Sequence, residues 1–283
     1  MLTKNGFTKK EIIIPGLKNI YRILQISDAH VVSMDQREEG FFIEDGPHKG
    51  KKLTDFGKMR QNRFTYEADD TSSRFAALCD HIKEHPDCAD AVVFTGDILD
   101  FFTESAFSFV SENISKLTLP YMFTLGNHDM IMSRMSNSEV RSRFLSLCNG
   151  DTYLQKLKLG ELCLIGVDNT DNKYEPHTLS RLDDAMKNEE NVLLFQHVPL
   201  CTEAYSSYLT RLGCKNYSIG EKGVDPDGSW RDFTNTITAP DSRVKALICG
   251  DAHLDHEGPL GGFTQYVSPL SAEAADILFY VHG

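Results

Sequence analysis

Residues 90–100 read DAVVFTGDILD, and the fold prediction starts from this short stretch. The apolar run at 91–94 is typical of a buried strand, and Gly96 and Asp97 follow where that strand ends. Two other stretches have the same form: YRILQIS at 21–27 runs into Asp28, and PYMFTLG at 120–126 runs into Asn127. We therefore predict three strands that each carry polar residues at the carboxyl end.

Helical patterns separate these strands. Apolar residues at helical spacing predict a helix over 71–85, with Thr71 or Ser72 as its N-cap, and a second helix over 107–117. The resulting βαβαβ order implies a parallel sheet with right-handed crossovers.

The second half of the chain predicts another sheet. A hairpin turns near Gly160, a helix lies around 178–188, and strands follow at 191–196, 244–250, 263–267 and 276–281. The two halves suggest two sheets packed face to face with helices outside. We expect one domain over 1–283, with insertions or lids at 33–70 and 201–242, where no clear period is present.

Composition excludes several classes of protein. The 283 residues are 41% hydrophobic and 25% charged, as in soluble globular domains. The net charge of −12 makes nucleic acid an unfavourable partner. Because the sequence has no long apolar span and no signal-peptide pattern, we expect a cytoplasmic protein without a membrane segment. Seven cysteines without a CxxC pair, Cys163 and Cys249 among them, indicate reduced thiols.

Polar residues of few types follow five of the predicted strands. Open α/β sheets place their sites at such carboxyl ends. Imidazole, carboxylate and amide ligands suit manganese, iron, zinc or magnesium. The candidates exceed what one tetrahedral ion uses, so we predict two divalent ions, about 3.5–4 Å apart, with a bridging carboxylate. The strand ends supply these polar residues: Asp28, His30, Asp97, Asp100, Asn127, His128, Asp129, His197, Asp251 and His253.

The chain resembles the calcineurin-like metallophosphoesterases in a series of motifs in the family's order. The motifs are Asp28-x-His30, Gly96-Asp97-Ile98-Leu99-Asp100, Gly126-Asn127-His128-Asp129, His197 and Gly250-x-x-His253. The resemblance implies an α/β fold, a four-layer αββα sandwich of two mixed sheets flanked by helices. It also implies hydrolysis of a small phosphoester by a hydroxide shared between two metal ions.

The resemblance also implies a role for each motif residue. Asp28, His30, Asp97 and His253 would hold the first ion, with Asp97 as the bridge. Asn127, His197 and the residue at position 251 would complete the second site. His128 would lie beside the phosphate, and Asp129 would orient His128.

Position 251 departs from the family pattern. The last motif is commonly Gly-His-x-His, whereas this chain has Gly250-Asp251-Ala252-His253. If Asp251 ligates, the harder oxygen donor favours manganese, magnesium or ferrous iron over zinc. The other interpretation is that Asp251 lies in the outer shell and the second ion is held weakly.

Several residues near the motifs allow more than one interpretation. Asp100 fits equally an acceptor that holds a histidine or a helix cap. A basic cluster could attract a phosphorylated substrate or belong to a solvated loop: Lys49, Lys51, Lys52, Lys58, Arg60 and Arg63. Aromatic residues in the same stretch could anchor a lid or pack on the domain: Phe41, Phe42, Phe56, Phe64 and Tyr66. Asp255 and His256 fit surface residues.

Two alternatives to a small-molecule phosphoesterase stay open. A non-catalytic metal-binding scaffold is compatible with a weakened second site, although the His128-Asp129 pair argues against it. A nuclease is compatible with the motifs, although the acidic charge disfavours it. The sequence does not indicate an oligomeric state.

Overall fold

The computed structural model describes residues 7–44, 47–63, 70–131, 135–271 and 276–283. The strands in these ranges are β1 (Thr8–Ile13), β2 (Tyr21–Ile26), β3 (Ala91–Thr95), β4 (Tyr121–Thr124), β5 (Leu154–Leu159), β6 (Leu162–Val167), β7 (Asn191–Phe195), β8 (Val244–Cys249), β9 (His256–Leu260), β10 (Phe263–Val267) and β11 (Ile277–His282). The α-helices are α1 (Leu53–Arg63), α2 (Thr71–Glu84), α3 (Glu104–Ile114), α4 (Asn127–Met130), α5 (Asn137–Phe144), α6 (Pro176–Met186), α7 (Glu203–Leu212) and α8 (Ser229–Thr238).

The first sheet has the strand order β1-β11-β2-β3-β4. Strands β2, β3 and β4 are parallel, with Ile23 opposite Ala91 and Val92 opposite Tyr121. This parallel pairing confirms the prediction made from the βαβαβ order. β11 runs antiparallel to β2 and parallel to β1.

The second sheet has the order β5-β6-β7-β8-β10-β9. Strands β6, β7, β8 and β10 are parallel, whereas β5 and β9 run antiparallel at the two edges. β5 and β6 form the hairpin predicted near Gly160, which has a left-handed φ of 54°. Such a φ favours glycine because other side chains clash with the backbone there.

The edge strands β1 and β9 were not predicted. β1 has the sequence TKKEII, and β9 has the sequence HEGPL with a proline in its interior. Charged residues and proline are typical of edge strands, where one side of the backbone stays unpaired. Because of these residues, β1 and β9 do not show the regular alternation of apolar and polar residues by which a strand is recognised in a sequence.

Three apolar clusters hold four layers together. Between the sheets, Ile23, Val93 and Met122 pack with Leu164, Leu193 and Ile248. The outer face of the first sheet is covered by α2, α3 and α5 through Phe75, Leu78, Ala106, Val110, Val140 and Phe144. The outer face of the second sheet is covered by α6, α7 and α8 through Leu182, Met186, Tyr205, Leu209, Phe233 and Ile237. The predicted αββα sandwich of two mixed sheets is confirmed.

The N-cap of α2 lies one residue earlier than predicted. Asp70, rather than Thr71 or Ser72, is the N-cap of α2, and its carboxylate accepts the backbone N–H of Ser73 at 2.8 Å. Asp70 is a strong cap because the carboxylate also interacts favourably with the helix dipole.

The two stretches without a clear period contain helices. Residues 33–70 include a short 3-10 helix at Gln36–Glu38 and the helix α1, where Phe56 packs with Phe101 and the half-buried Phe41. Phe42 is exposed, while Phe64 and Tyr66 lie outside the described residues. Residues 201–242 form α7 and α8, two of the helices that cover the second sheet.

The cysteines agree with the predicted reduced state. All seven are free, and Cys163 and Cys249 are fully buried in strands. Within the described ranges, no helix combines the length and apolar character needed to cross a membrane.

Candidate metal centre

The candidate ligands converge at one edge shared by the two sheets. Asp28 and His30 follow β2, Asp97 follows β3, and Asn127 opens α4 after β4. The second sheet adds His197 after β7, and Asp251 and His253 after β8. Since all five strands are parallel within their sheets, their carboxyl ends lie together and bring distant residues within contact.

Left-handed backbone marks most of these positions. Asp28, His30, Asp97, Asp251 and His253 have φ values of 56°, 46°, 53°, 68° and 56°. This region is uncommon for residues other than glycine, and such strain is concentrated at functional sites. The backbone conformation of the turns after β2, β3 and β8 therefore costs free energy, but it positions the side chains of the candidate ligands.

Two glycines keep the strand ends close together. Gly96 has a φ of 87°, and a Cβ atom there would lie 2.6 Å from the ring nitrogen Nδ1 of His197. A Cβ atom on Gly250 would lie 2.1 Å from the Ser27 hydroxyl oxygen and 2.8 Å from a carboxylate oxygen of Asp28. A larger residue at either position would displace a candidate ligand.

The first group of ligands surrounds the Nε2 atoms of His30 and His253, which lie 3.0 Å apart. His253 Nε2 is 3.4 Å from Asp28 Oδ1, and His30 Nε2 is 4.0 Å from Asp97 Oδ2. Burial lowers the pKa of His30, despite a contact of 3.0 Å between its Nδ1 and the Asp100 carboxylate. A neutral His30 donates Nδ1–H to that carboxylate, so its Nε2 lone pair faces the centre.

The second group surrounds Nε2 of His197. This atom lies 3.1 Å from Asn127 Oδ1, 3.2 Å from Asp97 Oδ1 and 3.6 Å from Asp251 Oδ1. His197 Nδ1 donates to the Thr95 carbonyl oxygen at 2.8 Å, which directs Nε2 towards the oxygens. Burial alone would lower the pKa of His197, but Asp97, Asp28 and Asp251 raise it well above its usual value.

The donor set fits divalent cations. Asp28 and Asp97 are buried, and the side chain of Asp251 is only 17% exposed, so three carboxylates meet with little access to water. Such a cluster needs positive charge, because buried anions are costly unless they are paired. Asp97 contributes one oxygen near His30 and the other near His197, as a bridging ligand would. The residues therefore fit a site for divalent metal.

His128 is held beside this centre by Asp100. Its Nδ1 donates to the backbone carbonyl oxygen of Asp100 at 2.7 Å and lies 3.7 Å from the Asp100 carboxylate. Its side chain is 26% exposed and lines a cavity of about 650 Å³ next to the ligands. The Nε2 atom of His128 is therefore available to a bound molecule.

Asp129 does not orient His128, which corrects the sequence-based prediction. Its buried carboxylate accepts the backbone N–H groups of Gly126, Asp97 and Leu99 at 2.8, 3.0 and 2.8 Å. Burial and the nearby Asp97 raise the pKa of Asp129 to about 7. Asp129 instead ties the turn after β3 to the turn after β4.

Asp100 holds both imidazoles, and its partner Arg60 was not recognised in the sequence. The Asp100 side chain contacts His30, and Thr103 caps the helix that follows. Arg60 on α1 donates from Nε and Nη2 to the two carboxylate oxygens at 2.6 and 2.5 Å. Burial raises the pKa of Asp100, but the hydrogen bonds from Arg60 and His30 lower it overall. The 40-residue separation of Arg60 and Asp100 explains why no local pattern revealed this contact.

The remaining polar residues near the motifs lie away from the ligands. Asp255 forms a surface ion pair with Lys10 at 2.5 Å, and His256 stacks on Tyr208 within 4.6 Å between ring centroids. In the basic cluster, Lys49, Lys51, Lys52, Lys58 and Arg63 are exposed. Among the residues of this cluster, Arg60 is the one whose contact with Asp100 connects it to the candidate metal centre.

Comparison with solved structures supports the fold. A purple acid phosphatase from yellow lupin (Lupinus luteus) seeds aligns over 93% of this chain and 45% of its own length, with 13% identity and a TM-score of 0.55. A putative 5'-nucleotidase from Staphylococcus aureus aligns over 89% and 49%, with 13% identity and a TM-score of 0.48. The chain thus spans about half the length of these structures.

No curated protein is significantly similar to the chain. The sequence pattern of the calcineurin-like phosphoesterases, in contrast, matches residues 21–255, which include every candidate ligand. This match covers most of the chain, and the chain belongs to the calcineurin-like phosphoesterase family.

Proposed function

We propose that the chain is a metal-dependent hydrolase of small phosphoesters that works with two divalent ions. One observation carries the proposal: buried Asp97 places one carboxylate oxygen 4.0 Å from His30 Nε2 and the other 3.2 Å from His197 Nε2. Asp28 and His253 complete the first group, and Asn127 and Asp251 complete the second. Membership of the calcineurin-like phosphoesterase family supports the same reaction.

The protein side chains prepare the centre for a phosphoryl group. Divalent ions, when bound, supply Lewis acidity and lower the pKa of water. Asp28, Asp97 and Asp251 balance that positive charge, and Asp100 and the Thr95 carbonyl group fix the orientation of the His30 and His197 rings. The Asn127 amide can donate to a phosphoryl oxygen from the start of α4.

We assign His128 to proton transfer or charge stabilisation at the leaving group. With Nδ1–H bonded to the Asp100 carbonyl oxygen, a protonated imidazole presents Nε2–H towards the cavity. Donation of this proton to the departing alkoxide leaves a neutral imidazole with its Nδ1–H bond intact.

A His128→Ala variant tests this assignment. We expect kcat on nitrophenyl phosphate to fall about 10²- to 10⁴-fold, the usual contribution of a positioned acid, while metal content stays unchanged. Steady-state kinetics with manganese and elemental analysis of the same sample measure both quantities. Wild-type turnover in a metal-replete variant would remove His128 from the mechanism.

The reaction itself is tested by activity after metal removal and reconstitution. Chelated protein should lose activity on nitrophenyl phosphate and bis-nitrophenyl phosphate and regain it with divalent metal. The ratio of the two rates separates a phosphomonoesterase from a phosphodiesterase. Metal-replete protein that hydrolyses no phosphoester in a broad panel would favour the non-catalytic scaffold instead.

A further inference from the structure

The cavity beside the metal centre extends well beyond the candidate ligands. Its volume of about 650 Å³ lies within the range of roughly 300–1,000 Å³ found for sites that enclose a whole small molecule. Asp97, Asn127, His128, Asp251 and His253 account for the part next to the centre. The rest of the cavity is therefore available to the part of a substrate that carries no reacting phosphorus.

The cavity lining has more apolar than polar surface, and the polar residues of the wall away from the ligands are Asn172, Lys215 and Ser218. Tyr205 and Leu209 come from α7, Val224 from the segment before α8, and Leu254 from the loop after β8. Tyr217 joins them and is 61% exposed, whereas Tyr205 and Leu209 are almost fully buried. Exposed apolar surface that borders a polar reaction centre is typical of a ligand-binding wall.

We propose that the substrate is a phosphoester whose alcohol portion is bulky and apolar, aromatic or aliphatic. This inference rests on the proposed function, because it places the phosphoryl group at the metal centre and the alcohol portion against the Tyr205, Leu209, Tyr217, Val224 and Leu254 wall. An apolar group gains affinity there because its surface leaves water.

A series of alkyl phosphates tests the proposal. In wild-type protein with manganese, kcat/KM should rise from methyl to butyl to hexyl phosphate by up to about fourfold for each buried methylene. Tyr217→Ser should lower the ratio of hexyl to methyl kcat/KM. Leu212→Ala is the control for Tyr217→Ser, since Leu212 is also a large exposed residue (50%) and does not line the cavity. Because Tyr217 is exposed, we expect the Tyr217→Ser variant to fold as the wild type does.

Binding of alkylphosphonates gives a readout that is independent of turnover. Their carbon–phosphorus bond is not a phosphoester, so calorimetry can compare methylphosphonate with hexylphosphonate on metal-loaded protein. Tighter hexylphosphonate binding that weakens in Tyr217→Ser, but not in Leu212→Ala, supports the proposal. Equal affinity for the two phosphonates, or equal kcat/KM along the ester series, would overturn it and leave the hydrolase function standing. Absence of hydrolysis for every ester would overturn the proposed function instead.

Discussion

Asp251 is the residue at which this centre departs from the family pattern, and its contacts favour ligation. Its backbone N–H donates to both carboxylate oxygens of Asp28 at 3.1 Å, and its own Oδ1 lies 3.6 Å from His197 Nε2. Burial raises the pKa of Asp251 to about 6, against the attraction of His197. We therefore propose that Asp251 supplies an oxygen ligand to the second ion, which favours manganese, magnesium or ferrous iron over zinc.

An Asp251→Ala variant should retain one tightly held ion and bind the second at least about tenfold more weakly. Loss of a direct ligand is expected to cost no less than loss of an outer-shell partner. Calorimetric titration of the metal-free protein with manganese measures both affinities. Asp255→Ala is a suitable control, because this nearby carboxylate is exposed and pairs with Lys10. Two ions held at wild-type affinity in the alanine variant would contradict ligation.

At the scale of elements, α1 connects the 33–70 stretch to the metal centre. Its apolar residues Leu53 and Phe56 are buried, but Met59 is exposed and most of the other positions are polar, so the helix has a weak periodicity in sequence. Arg60 reaches from this helix to Asp100, which in turn contacts His30. The Arg60 guanidinium and the Asp100 carboxylate are both largely buried. The stability of a buried ion pair depends more strongly on its geometry than that of a surface pair, because the two charges have left water.

Arg60→Met should weaken manganese binding about 10- to 100-fold, the usual effect of losing a side chain that orients a ligand. Arg60→Lys should recover only part of this loss, because an ammonium group cannot replace the two-point contact with Asp100. Calorimetry on metal-free protein provides the measurement, and Lys58→Met, on an exposed position of the same helix, provides the control. If Arg60→Met binds manganese as wild type does, α1 only packs on the domain.

At the scale of the whole molecule, the centre lies where the two sheets meet. The strands of the first sheet are followed by Asp28, His30, Asp97 and Asn127, and the strands of the second sheet are followed by His197, Asp251 and His253. Bound ions would therefore link both sheets in addition to the apolar cluster between them. The unfolded chain cannot assemble these ligands, so metal binding should stabilise the folded state.

Thermal unfolding should accordingly depend on metal concentration. Raising free manganese to 100 times its dissociation constant should stabilise the protein by about 2.7 kcal/mol for each site. For a chain of this size, that corresponds to a rise in Tm of roughly 5 °C per site. Differential scanning calorimetry with and without chelator measures the shift, and Asp97→Asn should largely remove it. A Tm that does not respond to manganese in the wild type would mean that the folded protein does not hold the ions.

The sequence by itself determined the strands other than the edge strands β1 and β9, the division into two packed sheets and the residues that follow the central strands. These features are local, since apolar runs identify buried strands and the next residues must lie at their carboxyl ends. Tertiary structure alone decided the partners of those residues. Arg60 pairs with Asp100, Asp129 binds backbone amides instead of His128, and the apolar wall gathers side chains from α7, Tyr217, Val224 and Leu254. Such contacts depend on how distant segments pack, which the local pattern of a single segment does not encode.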